Sequence, residues 1–139
     1  MRKIELLAPA GNLEKARLAL LYGADAVYVG GKMFSLRARA SNFDVSDIEE
    51  LCSFAKELGK KVYVTMNILP HDEDFTGLEE YILNLDKAGV DAIITSSLHI
   101  VRTALKIAPR MECHISTQMS IANSYTIEYY KQEGVKRVV

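Results

Sequence analysis

The chain has 139 residues, 49% hydrophobic and 25% charged, with a formal net charge of -1 at pH 7. That length suits one domain with a real core, and the composition excludes a disordered or collagen-like chain. Charge so near balance gives no global attraction to nucleic acid or an anionic membrane, so such a partner would need a local basic patch.

Ile4 to Leu7 reads as a short apolar strand, and Asn12 is placed to cap a helix from Leu13 to Tyr22 that Gly23 ends. Ala26 to Val29 is a second strand, followed by Gly30 and Gly31. The stretch from Lys32 to Phe43, KMFSLRARASNF, is too long and too basic for a minimal connector. Ser46 and Glu49 form a capping-box signature for a helix to about Leu58. Lys61 to Met66 is the third strand, and a second long loop runs from Asn67 to Phe75 before Thr76 and Glu79 offer another capping box. Ala92 to Thr95 is the fourth strand, and Ser96 or Ser97 caps a helix that Pro109 stops. Met111 to Ser116 is the fifth strand, its helix ends at Gly134, and Val135 to Val139 begins a sixth.

Strands alternating with helices imply parallel strands joined by right-handed crossovers. Two architectures fit: a doubly wound sheet of five or six strands, or the amino-terminal part of a larger (β/α) barrel, about five βα units plus a sixth strand. Glu5, Tyr28, Tyr63, Thr65, Asn67, Thr95, His114 and Ser116 interrupt the strands with polar groups. A doubly wound sheet is covered on both faces and reads as nearly all apolar, whereas a barrel can turn one face of each strand into a polar interior. The expectation is therefore an α/β fold, a truncated TIM-like barrel in a single domain over residues 1–139. The apolar runs are too short to span a membrane and Glu5 interrupts the start, so a cytoplasmic protein without a membrane partner is expected. Cys52 and Cys113 lack metal-ligand spacing and read as reduced structural cysteines.

The stretch from Glu112 to Asn123, ECHISTQMSIAN, concentrates the candidate chemistry. The period of two puts Glu112, His114 and Ser116 on one face of the strand, with Glu112 one layer deeper, and Cys113 and Ile115 on the other. His114 and Ser116 invite the reading of a base and a nucleophile, although the orienting acid and oxyanion site of such a pair do not follow from spacing. Asn67, Thr95, Thr117 and Gln118 fall at strand ends, where neutral polar side chains orient a substrate. Arg37, with Lys32 and Arg39 on the same loop, could hold a carboxylate or phosphate. His71, Asp72 and Asp74 only superficially suggest a metal cluster, and no metal site is assigned. The sequence contains no GxGxxG, GxxxxGK[ST], HExxH or GxSxG pattern.

Taken together, ELLAPAG at Glu5, ADAVYVGG at Ala24, FSLRARASNF at Phe34, KVYVTMN at Lys61, AGVDAIITS at Ala88 and HISTQMSIAN at His114 resemble the collagenase-like peptidase family, peptidase family U-32. The resemblance runs in order through essentially the whole chain and implies the amino-terminal portion of a larger catalytic barrel. It implies proteolysis of a peptide substrate as the main reading. Iron-sulfur-dependent hydroxylation of transfer or ribosomal RNA is the alternative within the family, and a non-catalytic structural or binding fragment is the alternative outside it. A 4Fe-4S cluster is implied only for the longer parent protein, since the family's cysteine-rich signature lies beyond the sixth strand and neither Cys52 nor Cys113 matches it. Within the family blocks, Arg37, Asn67, His114, Ser116, Thr117 and Gln118 mark a location without assigned roles. An open barrel would leave strand edges unpaired, so the fragment is expected to self-associate through them.

Overall fold

Ala26, Val27 and Val29 are fully buried, and the strand they form is covered on both faces, as an uninterrupted apolar run requires. A computed structural model describes residues 3–36, 38–39 and 43–139. Its strands are β1 (Leu7–Pro9), β2 (Ala26–Gly30), β3 (Lys61–Met66), β4 (Ala92–Thr95), β5 (Glu112–Ile115) and β6 (Arg137–Val138). Between them lie helices α1 (Leu13–Leu21), α2 (Val45–Glu57), α3 (Leu78–Ala88), α4 (Leu98–Ile107) and α5 (Ser124–Gln132).

All neighbouring strands are parallel, and their order in the sheet is β1-β2-β3-β4-β5-β6, the order of the chain. A doubly wound sheet reverses direction at a switch point, whereas winding in one sense is the construction of a (β/α) barrel. The fold is a six-stranded half-barrel.

Side chains alternate accordingly. Val27, Val29, Val62, Val64, Ile93, Cys113 and Ile115 turn outward into the main core with Leu20, Ile48, Leu51, Ile82, Leu85 and Ile100 of the helices. Ala26, Tyr63, Ala92 and Ile94 turn inward, with Leu7 and Tyr28 packed against them. Cutting a fully buried side chain such as Ile93 or Leu85 back to alanine would cost about 2–5 kcal/mol, because the close-packed helix layer cannot collapse onto the gap.

Several boundaries differ from the sequence reading. β1 begins at Leu7 and not Ile4, since only Leu7, Ala8 and Pro9 pair with β2, while Ile4 and Leu6 are exposed. The capping box of α2 is Asp44 with Asp47: Asp47 N donates to Asp44 Oδ1 at 2.9 Å and Asp44 N to Asp47 Oδ2 at 3.1 Å. Ser46 is therefore already inside the helix, its hydroxyl donating to Asp44 Oδ1 at 2.6 Å. Helix α3 starts from Gly77 at φ 79°, a left-handed conformation that suits glycine, and not from a Thr76 cap. β6 is the pair Arg137–Val138, two residues later than the apolar run suggests.

Candidate functional site

A cavity of about 360 Å³ opens at the carboxyl end of the half-barrel. Asn67, Ser116, Thr117 and Gln118 line it, so four of the expected rim residues come together. Tyr28 and Thr65 add polar groups one layer in, and Leu7, Leu36, Ile94 and Val139 form the apolar part of the wall. Tyr28 and Thr65 had a sequence signal as polar interruptions of strands. Leu36 had none, because an exposed leucine in an irregular loop carries no periodicity.

Two loops build the rim. After β5, Ser116 is buried and its Oγ accepts from Gln118 N at 3.3 Å, starting a 3-10 turn, Thr117–Met119, that holds Thr117 and Gln118 at the surface. Ser120 then turns the chain at φ 50°, and Asn123 caps α5 by accepting from Thr126 N at 2.9 Å. After β2, the loop is docked on the end of β3. Ser35 and Thr65 hydroxyls meet at 2.7 Å, Leu36 N donates to Asn67 Oδ1 at 3.2 Å, and Ile68 N donates to Phe34 O at 3.1 Å. Phe34 sits at φ 59°, a region that bulky side chains enter only when the surroundings enforce it. Both left-handed non-glycine residues among those described lie in these two rim loops.

The remaining expected residues are placed differently. Thr95 is fully buried and its Oγ1 accepts from Ser97 N at 3.2 Å; Ile94, its neighbour, takes the inward position. Thr95 therefore shapes the start of α4 and does not line the cavity. Arg37 lies outside the described residues; Lys32 and Arg39 on the same loop are exposed. Asp74 Oδ2 accepts from His71 N at 2.7 Å and closes a 3-10 turn over Asp72–Phe75, a local structural use of those polar residues.

His114 and Ser116 share a face but are not hydrogen-bonded. His114 Nε2 lies 2.9 Å from Glu112 Oε2, and its Nδ1 is buried with no partner among the described residues. Burial holds the imidazole below its ordinary pKa, against the Glu112 hydrogen bond and with the help of the Arg137 charge, so the ring is neutral near pH 7. A carboxylate only accepts, so Nε2 carries the proton and donates it to Glu112. The His114 ring stands edge-on to Tyr63 with centroids 4.9 Å apart. Below them, Glu5 accepts from Tyr63 Oη at 2.9 Å and from Arg137 Nη1 at 2.6 Å. The Arg137 hydrogen bond keeps the Glu5 carboxyl below its usual range despite partial burial. Burial, then the bond to Glu5, pushes the Tyr63 phenol up.

An iron-sulfur cluster does not fit the residues of this chain. Cys52 and Cys113 are buried apart from each other in the outer core, and burial pushes both thiols up to about 12, away from the thiolate that binds metal. Among the described residues, no group of three or more His, Cys, Asp or Glu side chains could hold a metal ion. No helix among them is long and apolar enough to cross a membrane.

The chain is 48% identical over 138 residues to the tRNA hydroxylation protein P1 of Bacillus subtilis, covering 99% of this chain and 33% of that protein. It is 38% identical over 137 residues to the 23S rRNA 5-hydroxycytidine C2501 synthase of Escherichia coli, covering 99% of this chain and 20% of that protein. A collagenase of Porphyromonas gingivalis is 34% identical over 129 residues, covering 92% of this chain and 31% of its own length. The chain thus spans a third or less of these curated relatives. Among solved structures, that of the U32 peptidase Mk0906 superposes with a TM-score of 0.75 over 99% of this chain and 60% of that one, at 12% identity. That likeness supports the barrel fold alone.

The expectation of a peptidase is corrected by these matches, because relatives at higher identity carry RNA-hydroxylation names and the collagenase stands below them. One barrel scaffold serves many chemistries through its rim, so the scaffold could not have decided between them. The family model described as peptidase family U32 matches residues 11–139, and the chain belongs to that family.

Proposed function

We propose that this half-barrel is part of an RNA-hydroxylation protein acting on transfer or ribosomal RNA, and that its carboxyl rim forms part of the substrate site. The observation that carries the reading is the 48% identity along 138 residues to a tRNA hydroxylation protein. The ordered rim supports it: two loops held in left-handed turns by Phe34 and Ser120 frame a cavity at the end where barrel enzymes bind their substrates. On this reading the protein works in the cytoplasm. Any iron-sulfur cluster of the longer protein would draw its ligands from outside the residues described, since these do not fit one.

Deleting the gene and analysing nucleosides from purified transfer and ribosomal RNA by mass spectrometry tests the reading. The expected result is loss of a nucleoside heavier than its parent by one oxygen, restored by the full-length gene. An unchanged nucleoside profile in both RNA classes would refute it.

A further inference from the structure

We propose that Ser96 is a positioning residue of the rim site: its hydroxyl fixes Asn67, and through Asn67 the loop at Leu36, without itself lining the cavity. This rests on the RNA reading above and adds which group outside the cavity keeps the two sides of its wall in place.

The wall is built on both sides of β4. Asn67 and Leu36 stand on the β3 side, and Ser116, Thr117 and Gln118 follow β5 on the other. Of β4, Ile94 alone lines the cavity. The end of β4 instead reaches out by one hydrogen bond to each side. The last rungs of the two ladders pair Met66 with Thr95 and Thr95 with Ile115. One residue further, Ser116 N donates to Thr95 O at 2.9 Å, so the main chain continues on the β5 side. On the β3 side the donor to Asn67 O is the Ser96 hydroxyl, at 3.3 Å, and no backbone N–H among the described residues reaches that oxygen. A side chain stands there in place of the ladder.

Ser96 is 5% exposed and is not part of the cavity wall. It is not the cap of α4 either, since Ser97 Oγ accepts from Ile100 N at 3.4 Å and fills that role. What its hydroxyl serves is Asn67. The Asn67 side chain continues the link, with Oδ1 accepting from Leu36 N at 3.2 Å, and both Asn67 and Leu36 line the cavity. A carbonyl that loses its donor away from water turns toward another partner. Turning the Asn67 carbonyl would move the amide group carried on the same Cα, and with it the anchor of the Leu36 loop.

The test compares Ser96→Ala, Asn67→Ala and the double variant in the full-length protein. Amide hydrogen exchange reads the position directly. Ser96→Ala should speed exchange at the Leu36 amide about three- to tenfold, the range for one lost hydrogen bond, and leave the amide of fully buried Ile93 as in the wild type. In the complemented deletion strain, at equal protein levels, Ser96→Ala should lower the oxygenated nucleoside about threefold or more. Added to Asn67→Ala it should lower it no further, because the amide that Ser96 positions is already gone. Unchanged exchange at Leu36, an equal speeding at Ile93, wild-type modification in Ser96→Ala, or losses that multiply in the double variant would overturn the proposal. An unchanged nucleoside profile on deleting the gene would instead sink the RNA reading, and the exchange comparison would still decide whether Ser96 positions Leu36.

Discussion

Arg137 Nη1 donates to Glu5 Oε1 at 2.6 Å across 132 residues of sequence. Glu5 leads into β1 and Arg137 belongs to β6, which are the two outermost strands of the sheet. In a flat sheet, five inter-strand steps would hold those strands about 24 Å apart, far more than two side chains can bridge. The contact is therefore a direct reading of curvature: the sheet curls until its edges share an ion pair over the Tyr63 ring, whose centroid lies 5.5 Å from Arg137 Cζ. A double-mutant cycle with Glu5→Gln and Arg137→Met, read by denaturant unfolding, should give a coupling of about 0.5–1 kcal/mol, kept modest because Arg137 is partly exposed. Strictly additive single mutants would mean that the edges are not coupled through this pair.

The neutral state of His114 predicts a pH dependence. Its folded pKa lies below the ordinary value of 6.5, so the unfolded chain takes up the proton first as pH falls. The contribution is complete above about pH 6.5 and is lost as pH drops from there through the folded pKa. His114→Gln should therefore flatten the fall in unfolding free energy between about pH 7 and pH 5. An identical slope in the variant would show that His114 does not titrate differently in the two states.

Much of this was legible in the sequence, and the reasons are local. The apolar runs of β2 to β5 and the glycines at Gly23, Gly59 and Gly89 mark units whose boundaries the fold keeps within a residue or two. The period of two correctly separated Glu112, His114 and Ser116 from Cys113 and Ile115. Thr95 escaped the same rule: its polar side chain at a strand end suggested the rim, but the alternation with Ile94 turns it toward the helices, where Ser97 uses it. The cap of α2 was misplaced because Ser46 and Glu49 also satisfy the pattern, and only the backbone shows Asp44 and Asp47 satisfying each other. The Glu5–Arg137 contact was not legible, since nothing in local sequence specifies how far a sheet curls.

The burial of both cysteines makes a prediction for the full-length protein purified without oxygen. Cys52→Ala and Cys113→Ala should leave its iron and sulfide content unchanged, since neither thiol is placed to become a metal-binding thiolate. If iron is bound at about four atoms per chain, as in a cubane cluster, its ligands then lie elsewhere. Loss of iron in either variant, with folding intact, would contradict the placement of that cysteine in the outer core.

The isolated 139-residue chain should associate with itself. β1 and β6 each pair on one side only among the described residues, and Leu18, Leu21 and Tyr22 of the first helical segment, with Ile127 and Tyr129 of α5, are exposed beside them. Unpaired strand edges next to apolar side chains favour edge-to-edge contact. Sedimentation at increasing concentration should show a mass above the monomer together with apolar-dye binding. A dye-silent monomer at all concentrations would show that the edges are protected as they stand.

The docking of the β2 loop onto β3 separates stability from activity. Thr65 is buried and its hydroxyl contacts Ser35 at 2.7 Å and Val29 O at 3.3 Å, so Thr65→Val should cost about 1–2 kcal/mol of folding free energy. Asn67 is less buried, and its Oδ1 accepts from Leu36 N, a backbone group on the cavity wall. Asn67→Ala should therefore leave the unfolding midpoint nearly unchanged while freeing Leu36 and the loop that frames the rim. If the rim is the substrate site, RNA modification in a strain complemented with the full-length Asn67→Ala gene should fall about tenfold or more, because misplacing a positioning group by a fraction of an ångström removes much of the benefit of orientation. Wild-type modification in Asn67→Ala, with protein levels equal, would move the site away from this end of the barrel. A loss of modification matched by an equal loss of folded protein would assign Asn67 to stability alone.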